Sequence, residues 1–160
     1  MAKGINIPVL IGFVLGSQLA GIIGALFTAR SVQTWYTTLQ KPSFNPPSWL
    51  FGPVWTVLYL LMGIAAYLVW AKGWTVPGVK TALFVFALQL VLNSLWSILF
   101  FGVRQPGWAF MEIVVLWAAI AVTIVLFWNI SRTAAFLLVP YILWVSFAAV
   151  LNYSLWRLNS

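Results

Sequence analysis

Long apolar runs separated by short polar connectors dominate the sequence. Five runs predict helices that each cross a membrane, since a span needs roughly 20 apolar residues. The predicted helices cover about residues 5–27, 46–70, 79–101, 107–128 and 133–156. The runs are continuous and do not alternate with polar residues, which argues against a membrane β-barrel. The pattern therefore predicts an all-α membrane protein, with residues 1–160 forming one domain that is a bundle of five transmembrane helices.

Small residues recur at a spacing of about four in the first predicted helix. They are Gly12, Gly16, Ala20, Gly21, Gly24 and Ala25. Such spacing lets a neighbouring backbone approach closely. Two interpretations remain open at this point, namely tight packing inside the monomer and a seam between two copies of the chain.

The longest polar connector, about residues 29–45, leads into the second helix through a cluster of prolines. Each proline lacks an N–H and restricts the residue before it, so the connector should not be helical. We expect Asn45 to cap the second helix, with Pro46 as its first residue. Pro53 is expected to kink this helix, and Pro140 to kink the fifth. We interpret the connector as a lid over a pocket.

The composition places the protein in a bilayer. The chain is 64% hydrophobic and 6% charged, with a mean hydropathy of +1.04. The net charge of +7 comes from basic residues scattered singly at helix ends, which suits lipid headgroups and argues against a nucleic-acid partner. Four anchors fall on one face and four on the other, so they do not orient the protein: Lys3, Lys72, Lys80 and Arg132 against Arg30, Lys41, Arg104 and Arg157.

Catalytic side chains are scarce. Cysteine, histidine and aspartate are absent, and Glu112 is the single carboxylate, which excludes thiolate, histidine-based and paired-carboxylate mechanisms. We expect no metal, no cofactor and no conventional enzyme activity. Glu112 is expected to form an ion pair with Arg104 near the membrane boundary; a catalytic carboxyl is the alternative.

Three amides lie deep in the predicted helices. Gln89 and Asn93 share one face of the third helix with Trp96 and Phe100, and Asn152 lies in the fifth helix. Polar side chains at membrane depth either bond neighbouring helices or serve function. For Gln89 and Asn152 both interpretations stand. Asn93 is expected to line a pocket and to meet a tryptophan of the second helix, Trp55.

Most of the eleven tryptophans suit an interfacial belt, because they lie near helix ends: Trp49, Trp70, Trp74, Trp108, Trp128 and Trp156. Trp55, Trp96 and Trp144 lie deeper. In the fifth helix, Trp144, Ala148 and Leu151 form a stripe with a small residue at its centre. Indole rings beside amides suit a flat polycyclic ligand that makes broad apolar contact and a few hydrogen bonds.

Three segments carry a family resemblance. WYTTLQKPSFNPPSWLFGPVWTVLY (35–59), QLVLNSLWSILFFGVRQPGW (89–108) and PYILWVSFAAVLNYSLW (140–156) resemble blocks of the translocator protein family, the tryptophan-rich sensory proteins also called peripheral benzodiazepine receptors. The resemblance implies a five-helix bundle, commonly a homodimer. It also implies binding of porphyrins such as protoporphyrin IX, of sterols, and of synthetic isoquinoline or benzodiazepine-type ligands.

The resemblance also implies site residues. The ligand-binding positions of the family correspond to Tyr36, Pro46, Phe51, Trp55, Asn93, Trp96, Phe100, Trp108, Trp144 and Ala148. The tryptophans matching Trp55 and Trp144 are linked in the family to light-dependent porphyrin breakdown. A sterol motif corresponds to Leu151, Tyr153 and Arg157. Without a mitochondrial-type presequence or a long C-terminal tail, the chain is expected in a bacterial cell membrane.

Three functions follow as hypotheses. The first is a membrane receptor or transporter for porphyrins and other polycyclic ligands. The second is light- and oxygen-dependent degradation of protoporphyrin IX, with Trp55 and Trp144 as redox partners. The third is a stress-regulatory membrane protein that senses its ligand.

Overall fold

The computed structural model of the chain describes residues 4–160, which form helices joined by short turns and one lid. Lys3, expected as a headgroup anchor, lies outside the described residues. The α-helices are α1 (Ile7–Gln33), α2 (Trp35–Thr38), α3 (Phe51–Trp70), α4 (Val79–Ser97), α5 (Pro106–Ile130), α6 (Arg132–Leu137) and α7 (Val139–Leu158). A 3₁₀ turn, Ser48–Leu50, precedes α3, and a π-helical turn, Ile98–Gly102, continues α4.

Five helical segments are long and apolar enough to cross a membrane, which confirms the predicted fold class. They are Ile7–Gln33, Ser48–Trp70, Val79–Gly102, Pro106–Ile130 and Arg132–Leu158. Within the bundle, α1 packs on α3 and α4, α4 packs on α5, α5 packs on α7, and α6 packs between α3 and α5. Large apolar side chains such as Ile11, Phe84 and Val125 are exposed on the outer surface, where lipid is the natural solvent. The protein is a multi-pass integral membrane protein.

The first span ends later than predicted. α1 continues to Gln33, not to about residue 27, and the short helix α2 follows it. The reason is tertiary contact, because the buried Ser31 hydroxyl donates to the Phe101 carbonyl at 2.6 Å and the Tyr36 ring is buried. The non-helical lid is therefore residues 39–47, shorter than the predicted connector of 29–45.

The start of the second span also differs from prediction. Asn45 does not cap the helix, since its side chain accepts a hydrogen bond from the Tyr36 hydroxyl at 2.6 Å and donates to the Pro46 carbonyl. The 3₁₀ turn begins at Ser48, after Pro47. Pro53 is the third residue of α3, but the 3₁₀ turn Ser48–Leu50 runs directly into this helix, so the proline lies in the second turn of the helical span Ser48–Trp70 and leaves the Trp49 carbonyl without an i+4 donor. The expected kink at Pro53 stays a prediction.

The fifth span is interrupted next to Pro140, where the sequence predicts a kink. α6 ends at Leu137 and α7 begins at Val139, with Pro140 in its first turn. The two helices remain nearly continuous, because the Leu138 carbonyl accepts from the Ile142 N–H at 3.1 Å.

Candidate functional site

Two cavities lie side by side at the lid end of the bundle. The larger, about 320 Å³, lies between α1 and the facing surfaces of α3 and the third span. The smaller, about 30 Å³, lies between α3, the third span and α7. A common wall borders both cavities and consists of Tyr36, Phe51, Trp55, Trp96 and Phe101. The same aromatic side chains therefore separate the two cavities.

Most of the predicted ligand-binding residues line the smaller cavity. They are Tyr36, Phe51, Trp55, Trp96, Phe100, Trp144 and Ala148. Leu151 and Asn152 complete its α7 side, as the predicted stripe with Trp144 and Ala148 requires. Four separate segments of the chain thus bring together side chains that sequence similarity alone had grouped.

Three predicted positions lie elsewhere. Asn93 is buried behind the aromatic wall and lines neither cavity. Pro46 lies on the lid, partly buried. Trp108 is 70% exposed near the start of α5, where its ring suits the interface between lipid and water.

Asn93 instead forms the centre of a buried chain of hydrogen bonds. The Tyr59 hydroxyl donates to Asn93 Oδ1, and Asn93 Nδ2 donates to the Tyr141 hydroxyl at 3.0 Å. The Tyr141 hydroxyl donates to Gln89 Oε1 at 2.8 Å, and Gln89 Nε2 lies 3.9 Å from Met62 Sδ. These contacts join α3, α4 and α7, so for Gln89 the interpretation as a bond between helices is confirmed.

The Asn152 side chain likewise forms hydrogen bonds between helices. Its Oδ1 accepts from Trp96 Nε1 at 2.9 Å, and its Nδ2 donates to the Pro106 carbonyl at 2.8 Å. The first contact fixes the plane of the Trp96 indole, which stacks on Phe100 at 5.4 Å between ring centroids. Asn152 therefore orients one face of the site.

Trp55 connects the cavity wall with the polar chain. Its ring stacks on Tyr59 at 5.5 Å and meets Tyr141 edge-on at 6.2 Å. Trp55 thus approaches the Asn93 chain through the two tyrosines. On the opposite side, Phe51 meets Trp144 edge-on at 6.1 Å. The site is a set of rings around a small space, suited to a flat apolar ligand.

The α1 side of the larger cavity was missed by sequence reasoning. Gly21 and Gly24 let Tyr59 and Ser97 approach α1, since a Cβ at either glycine would overlap those side chains. Gln18 lines the cavity and donates to the Thr56 carbonyl at 3.0 Å, which bridges α1 and α3. A glutamine in the middle of an apolar helix was the available signal.

The small residues of α1 thus divide between two roles. Gly21 and Gly24 pack inside the monomer. Gly12 and Gly16 have no neighbouring atom within reach of an added Cβ, and they line a third cavity of about 420 Å³ between α1 and α4. The hydroxyl of Ser17 lies beside this cavity, buried and without a hydrogen-bond partner in residues 4–160.

Residues 39–47, the lid, are held against the cavity end of the bundle by Tyr36 and its neighbours. The Tyr36 hydroxyl donates to Asn45, and the Lys41 ammonium lies 5.0 Å from the centre of the Tyr36 ring. Phe44 meets Phe147 of α7 edge-on at 6.3 Å. Burial raises the pKa of Tyr36 from 10.0 to about 12.

The expectation for Glu112 is wrong. Both carboxyl oxygens are buried, and neither has a hydrogen-bond partner in residues 4–160, so no ion pair with Arg104 forms there. Arg104 lies in the turn before α5 with a positive φ of 59° and is exposed. Glu112 is the seventh residue of α5, nearly two helical turns from its start, and its carboxyl faces protein, not headgroups.

The residues of the sterol motif do not share a surface. Leu151 is buried and lines the smaller cavity, whereas Tyr153 and Arg157 are exposed. Tyr153 packs outside the bundle core against Phe110, at 5.2 Å between ring centroids. Any sterol in contact with Tyr153 and Arg157 would lie on the outer surface of α7.

Comparison with known proteins finds a family and several similar sequences. Residues 13–157 match the model of the TspO/MBR family. The chain is 46% identical over 156 residues to "Tryptophan-rich protein TspO" of Archaeoglobus fulgidus, covering 97% of this chain and 99% of that protein. It is 43% identical over 150 residues to human "Translocator protein", covering 92% of this chain and 88% of that protein.

A third relative is bacterial and carries a different name. "Tryptophan-rich sensory protein" of Cereibacter sphaeroides is 39% identical over 125 residues, covering 78% of this chain and 77% of that protein. These relatives come from an archaeon, an animal and a bacterium, so placement in a bacterial cell membrane stays a prediction. The family match spans nearly the whole chain and reaches into all five helical spans. The chain belongs to the TspO/MBR family.

Proposed function

We propose that the protein is a membrane receptor or carrier for porphyrins, with protoporphyrin IX as the first ligand to test, and for other flat polycyclic molecules. The observation that carries the proposal is the pair of cavities with a common aromatic wall. A drug-sized ligand needs a pocket of roughly 300–1,000 Å³, which the larger cavity reaches. The smaller cavity of about 30 Å³ holds no such ligand until the wall moves.

Two further points support this ligand class. The common wall supplies ring faces and edges for broad apolar contact. Asn152 holds the Trp96 ring by a hydrogen bond, and Trp55 stacks on Tyr59, which Asn93 holds in turn. Two relatives carry the names "Translocator protein" and "Tryptophan-rich sensory protein". A flat ligand in the site would therefore serve transport or sensing in this chain. Isoquinoline and benzodiazepine-type compounds have the same flat aromatic character and are proposed as competing ligands.

The test is quenching of tryptophan fluorescence by protoporphyrin IX, titrated in the dark against the purified full chain in lipid nanodiscs. We expect saturable quenching and weaker binding in Trp55→Phe and Trp144→Phe. Phenylalanine keeps one ring but loses the rest of the indole, so the loss falls within the about 0.5–1.5 kcal/mol that an aromatic contact is worth, and Kd should rise about twofold to tenfold. Trp74→Phe is the matched control, because Trp74 lies in the turn between α3 and α4, at the opposite end of the bundle. Equal affinity in all four proteins would reject the site.

Illumination of the same samples tests the second function. Trp55 stacks on Tyr59 and meets Tyr141, so a ring in the wall has two neighbouring phenols that can donate electrons. Light-dependent loss of the porphyrin absorption band, faster than in protein-free nanodiscs and abolished in Trp144→Phe, would assign degradation to the protein. An intact porphyrin spectrum would argue against degradation and favour the function as receptor or carrier.

We also propose that two copies of the chain pack against each other along the groove between α1 and α4. Gly12 and Gly16 leave this groove open, and apolar residues such as Leu83 and Leu90 line its other side. Small residues favour close approach of helices in lipid. Chemical cross-linking should give a dimer that Gly12→Leu with Gly16→Leu abolishes and that Gly52→Leu leaves intact. A dimer that persists in the double variant would contradict the seam.

A further inference from the structure

One side chain ties the lid to the C-terminal end of α7. Asn159 Oδ1 accepts from the main-chain N–H of Gln40 at 2.9 Å, and Asn159 Nδ2 donates to the main-chain carbonyl of Gln40 at 3.0 Å. The same Nδ2 donates to the Leu155 carbonyl at 2.8 Å. An amide group has two N–H donors, so both are used, one for the helix end and one for the lid. Asn159 thereby joins residues 119 positions apart in the sequence.

This contact differs from the others that hold the lid. Phe44 and Tyr36 hold it through side chains, and the main-chain hydrogen bond from Asn45 to Pro42 is local. At Gln40, by contrast, both main-chain polar groups are held by a residue of the bundle. The contact is therefore independent of the Gln40 side chain, which offers a clean way to test it.

The position of the contact links it to the site. Gln40 follows Leu39, which packs against a buried cluster that includes Tyr36, Phe100 and Leu155. Tyr36 belongs to the wall between the two cavities, and Leu155 lines the smaller one. A lid that lifts at Gln40 would release Leu39 and allow the Tyr36 ring to move. Opening of the Asn159 contact would therefore free the Leu39 and Tyr36 side of the smaller cavity.

We propose that Asn159 is the latch of the lid, a positioning residue that sets how fast ligand enters and leaves the site. The inference rests on the proposed function, since it assumes that ligand binds beneath residues 39–47. The latch holds the same closed lid in the free and the occupied protein. Its loss therefore raises the association and dissociation rates together and leaves the equilibrium affinity nearly unchanged.

The test is stopped-flow quenching of tryptophan fluorescence by protoporphyrin IX, in the dark, with the full chain in nanodiscs. Gln40 and Asn159 are exposed, so each hydrogen bond competes with water and the pair is worth about a fivefold to tenfold change in rate. Asn159→Ala should speed both rates by this factor, with Kd within about twofold of wild type. Gln40→Ala, which keeps both main-chain groups, should retain wild-type rates.

Hydrogen–deuterium exchange without ligand provides the second readout. Asn159→Ala should increase exchange in residues 39–47 but not in α3 or α4, whereas Gln40→Ala should not. Unchanged rates and unchanged lid exchange in Asn159→Ala would overturn the latch. So would a loss of affinity that accompanies a lower melting temperature, which indicates a structural role. If wild type fails to bind protoporphyrin IX, the proposed function fails and the exchange measurement alone decides on the latch.

Discussion

The two ends of the helical bundle differ in how tightly the second, third and later helices pack around the centre. Away from the lid, the core combines small side chains that have no exposed surface, among them Ala65, Ala66, Ala82 and Ala134, with larger ones such as the stacked rings of Phe86 and Phe127. At the lid end the helices meet through rings, and two cavities remain between those rings. Both ends have the same solvent, so the difference comes from side-chain shape.

A membrane protein can thus combine tightly packed helices with an open pocket in one bundle. Lipid tails are as apolar as leucine, so close helix packing depends on van der Waals contact between small residues. Rigid rings cannot interdigitate in that way and leave space that a flat ligand can fill. The chain of Tyr59, Asn93, Tyr141 and Gln89 crosses the bundle between the two ends and fixes α3, α4 and α7 in register.

The largest loss of stability is expected where a side chain would press against the backbone of a neighbouring helix. A Cβ at Gly63 would lie 2.5 Å from the Cα of Val14 in α1, so Gly63→Ala must push two helices apart. Overpacking costs about 1–3 kcal/mol, and we expect the upper end or beyond. Gly52→Ala at the cavity end meets no atom within 4 Å and is the control.

Thermal unfolding in one detergent, followed by tryptophan fluorescence, measures both glycine variants. Gly63→Ala should unfold at a clearly lower temperature, and Gly52→Ala should match or exceed wild type because alanine favours helix. Similar melting temperatures would mean that the two ends do not differ in tightness.

The second-largest loss of stability is expected in the hydrogen-bonded chain of Tyr59, Asn93, Tyr141 and Gln89 between the two ends. Asn93→Ala leaves the Tyr59 and Tyr141 hydroxyls without one partner each, which costs about 1–3 kcal/mol. Asn129→Ala, an exposed amide near the end of α5, should change stability by less than about 0.5 kcal/mol. Unfolding midpoints compare the two variants. If Asn93→Ala left stability unchanged, the hydrogen bonds between Tyr59, Asn93, Tyr141 and Gln89 would not hold the helices together. Weaker ligand binding in that variant could then be assigned to a direct contact between Asn93 and the ligand.

A smaller effect on stability, but a clear one on binding, is expected from filling the small cavity. Ala148 is 8% exposed and borders this space, so Ala148→Leu should occupy volume that a ligand needs. The expected loss of protoporphyrin affinity is about tenfold, equivalent to about 1.4 kcal/mol, with little change in melting temperature. Ala118→Leu on the exposed face of α5 is the size-matched control. Wild-type affinity in Ala148→Leu would place the ligand wholly in the larger cavity.

Sequence reasoning found the architecture because lipid simplifies the pattern. Each span must satisfy its own backbone and expose apolar side chains, so length and hydropathy are enough to locate helices. The extension of α1 to Gln33 was missed, since it depends on Ser31 reaching the Phe101 carbonyl across the bundle. Local polarity around residue 30 suggested a loop instead.

The candidate site was predicted only in part, for a related reason. Family resemblance supplied rings such as Trp55 and Trp144, and the structure places them in the wall of the smaller cavity. The partners of Asn93 and the contact between Gln40 and Asn159 join residues far apart in sequence, and no local spacing encodes them. The division of that site into two cavities depends on ring rotamers, which a one-dimensional pattern does not contain.

The smallest effect is expected at the lid, where Tyr36 couples packing to pH. Burial raises the pKa of Tyr36 from 10.0 to about 12, so the folded protein holds the phenolic proton more tightly than the unfolded chain. This contribution to stability is complete below pH 10 and is lost as the pH rises towards 12. Tyr36→Phe lacks the titrating group, so its unfolding midpoint should fall less steeply over that range. The difference between the two midpoints, measured in steps from pH 9 to about 11.5, isolates this phenol from every other titrating group, since those groups are common to both proteins. A difference that stays constant with pH would mean that the phenol is as accessible in the folded protein as in the unfolded chain, and the lid end would then be open to water as well as to ligand.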